Sequence, residues 1–503
     1  QYVKKSGTVF SRGTIYFEDK NNGLVSAATL KTGYILAVNP VLIKDKEGVY
    51  SQISKIITID HDDFIKKASK APDTYEEIIN KIPEDKGDKI RALKIKGVNV
   101  YKEQWRFYPG ASTAANVIGL MGYKGDDYAG RYGLEKSYDK VLARNENNIY
   151  ANFFVEVFSN LQKTVSKDGS FEGDIIATIE PTVETLLEDS LQKIETKWGG
   201  SEIGGIIMNP KTGEIYAMAS FPTFNPNNFA NEKKVSVFSN PLVDNSYEMG
   251  SIIKPLTMAA GIDAGIITPA TTYNDKGFVT ANSSTIRNHD NIVRGVVSMQ
   301  TVLDQSLNTG VAFVVSKLGA KKFAEYMFGY GLGEKTGIDL PNEADNQVSN
   351  LKSPRDIEYI TASFGQGIAM TPIATIRALA VLANGGVLVS PHVVKKVNYT
   401  SGFFKNINPV PGAQVIKPDS SKQITEMLVK TVDNALLGGT VKNPHYSVAA
   451  KTGTAQIAKP GGGGYYTDRY LHSFMVYFPA TDPKFIILLY IYYPKTDKFA
   501  ADT

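Results

Sequence analysis

The 503-residue sequence contains no cysteine, which excludes disulfides and thiolate metal sites and suits an extracytoplasmic enzyme, although cytosolic proteins can also lack it. Its five histidines, His61, His289, His392, His445 and His472, are scattered, with no H-E-x-x-H and no i, i+4 pair, so neither a metal site nor a cofactor is expected. Long apolar runs are missing as well. The longest, Phe485 to Tyr493, falls far short of the ~20 residues that span a bilayer, and it reads as a buried strand. The chain begins at Gln1 rather than Met, and the expectation is that a signal or membrane anchor has been removed. Net charge is also small: 55 basic against 51 acidic side chains leave +4 with no basic block, so no nucleic-acid partner is implied.

What is present is a globular composition, 42% hydrophobic and 21% charged, over a length that suggests two or three domains. The stretch to about Gly173 has its own texture. Ile53 to Lys96 interleaves Lys, Asp and Glu with apolar residues, predicting amphipathic helices in a small head. Ser11-Arg-Gly-Thr-Ile15, Arg106-Phe-Tyr-Pro-Gly110 and Gly130-Arg-Tyr-Gly-Leu-Glu135 combine charge, glycine and aromatics, and read as turns pinned by structural ion pairs. After Glu172-Gly-Asp174 the pattern resets. Asp174 to Ile179 alternates as a strand, Pro181 opens a helix, and two apolar runs flanking Lys211-Thr-Gly213 read as a hairpin.

Three short patterns carry chemistry. In Tyr247-Glu-Met-Gly-Ser-Ile-Ile-Lys-Pro-Leu256, Ser251 and Lys254 stand three residues apart at a helix start fixed by Pro255, so the amine shares a face with the hydroxyl. A lysine whose pKa is lowered by burial can activate a serine. S-x-x-K occurs four times, and only this copy has apolar surroundings; Ser137/Lys140 and Ser190/Lys193 lie among charges and Ser349/Lys352 in a polar loop. Ser306-Leu-Asn308 is the one S-x-N. Residues two apart face different ways on a helix, so both can serve one site only from a turn between helices; a helix cap is the bland alternative. K-T-G also occurs four times, at Lys31, Lys211, Lys335 and Lys451; the first three read as turns, and only Lys451-Thr-Gly-Thr454 sits in a β-prone run. There Gly453 would let a ligand backbone lie alongside, with Lys451 adding charge and Thr452 and Thr454 hydroxyls.

The order S-x-x-K, S-x-N, K-T-G resembles the penicillin-recognising serine acyltransferases, whose middle motif is usually S-D-N; Leu307 stands in place of that Asp. Over nearly its whole length the chain resembles class B penicillin-binding proteins. Ser11–Ile15 and Gly130–Glu135 look like the pedestal motifs of that class, and Pro210-Lys-Thr-Gly-Glu214, Ser363-Phe-Gly-Gln-Gly367, Thr371-Pro372 and His472-Ser-Phe474 like its catalytic-domain signatures. Phe17-Glu-Asp-Lys-Asn-Asn-Gly23 departs from the usual Asp-Arg-Asn-Gly.

The resemblance implies an α+β multidomain chain: an extended pedestal over residues 1–172 with a small helical head near 53–96, then a transpeptidase domain over 173–503, β-lactamase-like, with a central antiparallel sheet flanked by helices and an all-helical subdomain. It implies a D,D-transpeptidase in which Lys254 deprotonates Ser251, Ser306 relays a proton, Asn308 binds peptide backbone, and Thr452 and Thr454 with Lys451 hold the terminal carboxylate. The N–H groups of Ser251 and Thr454 would form the oxyanion hole. Implied partners are peptidoglycan stem peptides, β-lactams as covalent inhibitors, and membrane glycosyltransferase and scaffold proteins of elongation or division, at the outer face of the bacterial cytoplasmic membrane. A D,D-carboxypeptidase or β-lactamase, and a non-catalytic β-lactam sensor or scaffold, are the alternatives. Finally, Lys459-Pro-Gly-Gly-Gly-Gly-Tyr-Tyr-Thr467 reads as a mobile hairpin tip, with Tyr465 and Tyr466 as a candidate lid and a strand following from Leu471.

Overall fold

The computed structural model describes residues 11–125, 127–144, 172–410, 412–495 and 500. The spine of the N-terminal region is the long strand β2 (Leu24–Val38), whose first half pairs with β1 (Ile15–Glu18) and whose second half pairs with β4 (Val98–Phe107) on one edge and β3 (Glu76–Ile82) on the other. Helices Lys46–Ile53, His61–Ala68 and Glu84–Ala92 cover this end. Leu36, Ile53, Phe64, Ile82 and Ile90 form a core belonging to that head alone. The head is therefore not all helical: Glu76–Ile82 is a strand within the stretch whose charge pattern predicts helix. Irregular register against β2 breaks the period-2 pattern that would reveal it. Lys31-Thr-Gly33, expected to be a turn, lies inside β2. A Cβ on Gly33 would sit 2.2 Å from the Ile82 carbonyl oxygen, so this glycine admits β3 alongside.

β5 (Met121–Lys124) and β6 (Asp127–Gly130) form a small hairpin leading into the Glu135 turn, where the three arginine- and glycine-bearing segments meet. The Glu135 carboxylate is fully buried, taking Arg12 Nε at 2.7 Å and Arg106 Nε at 2.6 Å, with the Tyr108 hydroxyl at 3.2 Å. Burial opposes the charge on Glu135, but the two arginines outweigh it and hold the carboxyl below its usual range. Arg106 also donates to the Gly13 carbonyl at 2.7 Å, so the ion pairs pin these turns.

β7 (Gly173–Ala177) joins that same region. It runs parallel to β1 and antiparallel to β14 (Val394–Tyr399), which pairs with β15 (Phe404–Asn406), giving the order β15-β14-β7-β1-β2-β3. Strands from both sides of position 172 thus share one sheet, and one core contains Ile15, Ile175 and Tyr490. Residues 145–171, just before that position, lie outside the described residues.

The second large sheet is an antiparallel meander ordered β16 (Ala449–Ala458), β17 (Tyr465–Phe478), β18 (Phe485–Tyr492), β8 (Glu202–Met208), β9 (Ile215–Phe221). The run of Ile, Leu and Tyr read as a buried strand is its centre. Helix Pro181–Trp198 begins with proline in its first turn, is capped by the Glu180 carboxylate on Val183 N–H at 2.7 Å, and lays Leu187 and Leu191 on one face of the sheet. On the other face Ile206, Met208 and Leu488 enter the main core with helix Lys254–Asp263, every residue of which from Lys254 to Ile262 is buried. Two small pairs, β10 (Thr272–Asp275) with β13 (Gly295–Ser298) and β11 (Phe278–Ala281) with β12 (Ser284–Arg287), stand beside helices Met299–Asp304 and Asn308–Leu318. Among the described residues no helix is long and apolar enough to cross a membrane.

Removing one partner from a buried ion-pair cluster strands the others, at a cost of about 3–5 kcal/mol. Glu135→Ala is therefore expected to destabilise the protein by that amount. Calorimetric melting of the variant beside wild type measures it, and a loss under about 1 kcal/mol would mean that the three turns hold without their carboxylate.

Candidate active site

Gly250–Ile253 forms a single tight 3-10 turn that runs directly into helix Lys254–Asp263, with Pro255 in the first helical turn. Three glycines bring three backbone segments together at this turn. Gly250, at φ +64°, has its Cβ position 2.8 Å from the Thr454 carbonyl oxygen; Gly365 has its own 2.3 Å from the Gly250 carbonyl oxygen. On β16, a Cβ on Gly453 would meet the Ser473 hydroxyl oxygen at 2.4 Å and, in the serine turn, Ile252 N and the Met249 carbonyl oxygen at 2.9 Å. The open side of Gly453 thus faces the serine turn, so its lack of a side chain serves strand-to-turn packing in this structure. Gly250 N–H donates to the Gly365 carbonyl at 3.1 Å, and the Ser473 hydroxyl donates to the Met249 carbonyl at 2.7 Å. Any side chain at these glycines would push β16 or the 365 loop off the Ser251 backbone.

Ser306 and Asn308 come from the other side. Helix Met299–Asp304 ends, residues 305–307 turn, and helix Asn308–Leu318 begins, with Ser306 at φ +53° and Leu307 buried. The two side chains are therefore carried on a turn between helices. Asn308 Nδ2 donates to the Arg287 carbonyl at 2.9 Å, which fixes the amide.

The amines complete the arrangement. Lys254 Nζ donates to the Ser306 carbonyl at 2.5 Å and lies 3.1 Å from Ser306 Oγ, while Lys451 Nζ approaches the same Oγ at 3.1 Å and donates to the Thr452 carbonyl at 2.9 Å. Both lysines are buried, Lys254 completely. Burial and then repulsion from Lys451 push the Lys254 amine well below its usual range. Lys451 is lowered by burial to about 8, with Asp304 acting in the opposite direction. Of the two amines, Lys254 is thus the one shifted further towards its neutral form. The lysines of the other S-x-x-K copies, Lys140, Lys193 and Lys352, are exposed.

A cleft of about 770 Å³ opens over these groups, lined by Ser251, Ser306, Asn308, Lys451, Thr452 and Thr454 among others. The structure thus brings all eight candidate residues to one place, although Lys254 hydrogen-bonds Ser306 rather than Ser251. β16 is the edge strand of its sheet and borders the cleft, so its outer edge is available to an extended peptide.

The loop expected to carry a lid is shorter than its sequence suggests. β17 begins at Tyr465, six residues before Leu471, and pairs with Ala458, leaving a tip closed by Lys459 N–H on the Gly464 carbonyl at 2.8 Å. Tyr465 is docked through its hydroxyl on Glu248 at 3.1 Å, and Tyr466 stacks under Arg469, so both tyrosines already belong to the sheet. Sequence reasoning also missed what Ser363–Gly367 does. The Gly365 contact just described, with the Thr257 hydroxyl donating to the Ser363 carbonyl at 2.8 Å, ties that segment to the serine helix; its glycine spacing was the visible signal.

Comparison with known proteins agrees with this geometry. Residues 203–502, more than half of the chain, match the family described as the penicillin binding protein transpeptidase domain, and residues 8–170 match the penicillin-binding protein dimerisation domain. The chain belongs to the class B penicillin-binding proteins. It is 30% identical over 492 residues to stage V sporulation protein D of Bacillus subtilis, covering 95% of this chain and 74% of that protein. It is 28% identical to penicillin-binding protein PbpB of Mycolicibacterium smegmatis, over 78% of this chain but only 61% of the relative. In fold it resembles penicillin binding protein 2X from Streptococcus thermophilus, with TM-score 0.79 and 21% identity over 98% of this chain and 78% of that one. It also resembles penicillin binding protein 3 of Mycobacterium tuberculosis complexed with ampicillin, with TM-score 0.73 and 22% identity over 98% and 91% of the two chains.

The lowered pKa values of the two amines set a pH profile. With Lys254 as the base of an acylation and Lys451 as an anion-binding cation, the rate would rise with pH through a limb far below that of an ordinary lysine and fall again near pH 8. Second-order rate constants for penicillin labelling from pH 5 to 10 measure both limbs. An acidic limb near pH 10 would remove Lys254 as the base.

Proposed function

We propose that the chain is a serine-type peptidoglycan D,D-transpeptidase, and the observation that carries this reading is the buried, charge-depleted Lys254 amine one helical turn from Ser251 at the floor of the cleft. Lys254 accepts the Ser251 proton. The serine oxygen attacks the carbonyl between the last two D-alanines of a stem peptide, and the tetrahedral oxyanion is held by the N–H groups of Ser251 and Thr454, each such donor being worth ~3–4 kcal/mol. Approach of Gly250 to the Thr454 backbone supports that pairing.

The proton then reaches the leaving D-alanine amine through Ser306. Its hydroxyl oxygen lies within hydrogen-bond distance of both lysines; when both donate to it, the Ser306 hydrogen is left to point towards the cleft. Asn308 donates to peptide backbone, and Thr452 and Thr454, with charged Lys451 behind them, receive the terminal carboxylate. A neighbouring strand's amine reverses these steps and forms the crosslink. β-Lactams acylate Ser251 by the same attack. The division into a pedestal over 1–172 and a catalytic domain over 173–503 remains part of this proposal, as do a location outside the cytoplasmic membrane and partnership with glycosyltransferase and scaffold proteins. Hydrolysis by a carboxypeptidase or β-lactamase, or acylation without turnover in a sensor, is separated from transfer by the fate of the acyl group.

Ser251→Ala should take no penicillin label and keep the wild-type melting temperature within about 2 °C, since the hydroxyl comes from an open cleft. Lys254→Arg should acylate at least ~100-fold more slowly, because guanidinium stays protonated. With defined donor and acceptor stem peptides, crosslinked product is expected. Label on Ser251→Ala would identify another nucleophile, and release of free acid without crosslink would make the protein a hydrolase.

A further inference from the structure

Behind the Ser306–Asn308 turn lies a carboxylate that the reaction does not touch. Asp275, at the end of β10, is completely buried and outside the cleft wall. Every group facing it is a donor. Gly277 N–H reaches Oδ1 at 2.9 Å, Asn288 Nδ2 lies 3.1 and 3.0 Å from the two oxygens, the Thr309 hydroxyl donates to Oδ1 at 2.8 Å, and Arg294 stands 3.9 Å from Oδ2.

Three of these donors, Thr309, Asn288 and Arg294, lead to the middle motif. Thr309 follows Asn308, and its backbone N–H donates to Asn288 Oδ1 at 3.2 Å, a cap that Leu307 at the helix N-cap position has no side-chain oxygen to provide. Asn288 follows Arg287, whose carbonyl receives the Asn308 amide. Arg294 hydrogen-bonds Gln305, the residue before Ser306, and pairs with Asp290. Tyr273, on the same strand as Asp275, closes the cluster through its hydroxyl 3.0 Å from that of Thr309.

We propose that Asp275 is a positioning residue for the reaction: it fixes Ser306 and Asn308 by gathering Asn288, Thr309 and Arg294 behind their turn. The proposal rests on reading Ser306-Leu-Asn308 as part of the catalytic site. Only an acceptor-only group suits the place, since asparagine would aim its own N–H at the Asn288 amide or at Arg294. Ser306 holds a left-handed backbone conformation, sparsely populated for serine, and such a conformation persists where its flanks are tied down. Loss of one anchor should let the turn relax, and displacement of a catalytic group by about 1 Å can cost 10²-fold.

The test is stopped-flow acylation by a labelled penicillin, separating the dissociation constant of the encounter complex from the acylation rate constant, with circular dichroism on each variant. Asp275→Asn should lower the acylation rate constant 10- to 100-fold and change the dissociation constant less than threefold, well below its melting temperature. Exchanging the pair, Asp275→Asn with Asn288→Asp, restores a carboxylate facing Thr309 and should recover at least fivefold of the loss. A purely structural role would lower the melting temperature and leave the rate constant of the folded protein unchanged, so a folded Asp275→Asn within twofold of wild type overturns the proposal. Where Asp275→Asn does not fold, Thr309→Val, which cuts one route only, decides in the same way: a slowed acylation step supports it and a rate within twofold overturns it. Peptide mass mapping of the label keeps the two readings apart. Label on a residue other than Ser251 defeats the functional reading, whereas an unchanged ratio with label on Ser251 defeats the positioning role.

Discussion

Two amines buried beside one hydroxyl are the constraint around which this molecule is arranged. Lys254 and Lys451 each lie 3.1 Å from the same hydroxyl oxygen, so they are no more than about 6 Å apart. At an effective dielectric constant near 20, two positive charges at that distance repel by roughly 3 kcal/mol, equal to about two pKa units, before the cost of burial is counted. Burial adds to this repulsion at the fully buried Lys254 and pushes its amine well below the usual range, towards the state a base requires, while Lys451 is lowered to about 8. Burial, joined at Lys254 by repulsion from Lys451 and opposed at Lys451 by Asp304, therefore separates the two amines.

The site itself is made by close approach of backbone rather than by side chains. Gly250, Gly365 and Gly453 each occupy a position where a Cβ would strike a neighbouring segment, and together they let β16 and the 365 loop press against the serine turn. The local geometry of this site was legible in the sequence because it is local. Spacing placed Ser251 and Lys254 at one helix start, the facing rule placed Ser306 and Asn308 on a turn, and strand alternation singled out Lys451 among four K-T-G copies. What could not be read was contact between segments. Nothing in the sequence says that the missing side chain of Gly453 faces Met249 and Ile252 rather than a ligand, or that Asp275 stands behind the middle motif 31 residues before Ser306.

The fold was legible in the same uneven way. The hairpin around Lys211–Gly213, the proline-opened helix Pro181–Trp198 and the central strand Phe485–Tyr492 follow from period, caps and apolar runs. Glu76–Ile82 did not, because its charges suggest a solvated helix face while its conformation is decided by the exposed edge of β2. That β7 pairs with β1 and β14 was not legible, since strand pairing over a distance of more than 150 residues leaves no local trace. In the 459–467 stretch, glycine number suggested slack, yet Glu248 draws Tyr465 into the sheet and shortens the tip.

The chain also buries charge in an opposite way, and the contrast explains why its charged turns and its active site behave differently. Glu135 sits between Arg12 and Arg106 with hydrogen bonds to both carboxylate oxygens, and the two guanidiniums outweigh the cost of burial and hold its carboxyl below the usual range. At Lys254 burial, with the Lys451 amine nearby, disfavours the charged form instead. Burial by itself therefore does not mark a catalytic group. What separates the two sites is what surrounds each buried group, two arginines around the Glu135 carboxylate and a second amine beside Lys254, a property set where distant segments meet.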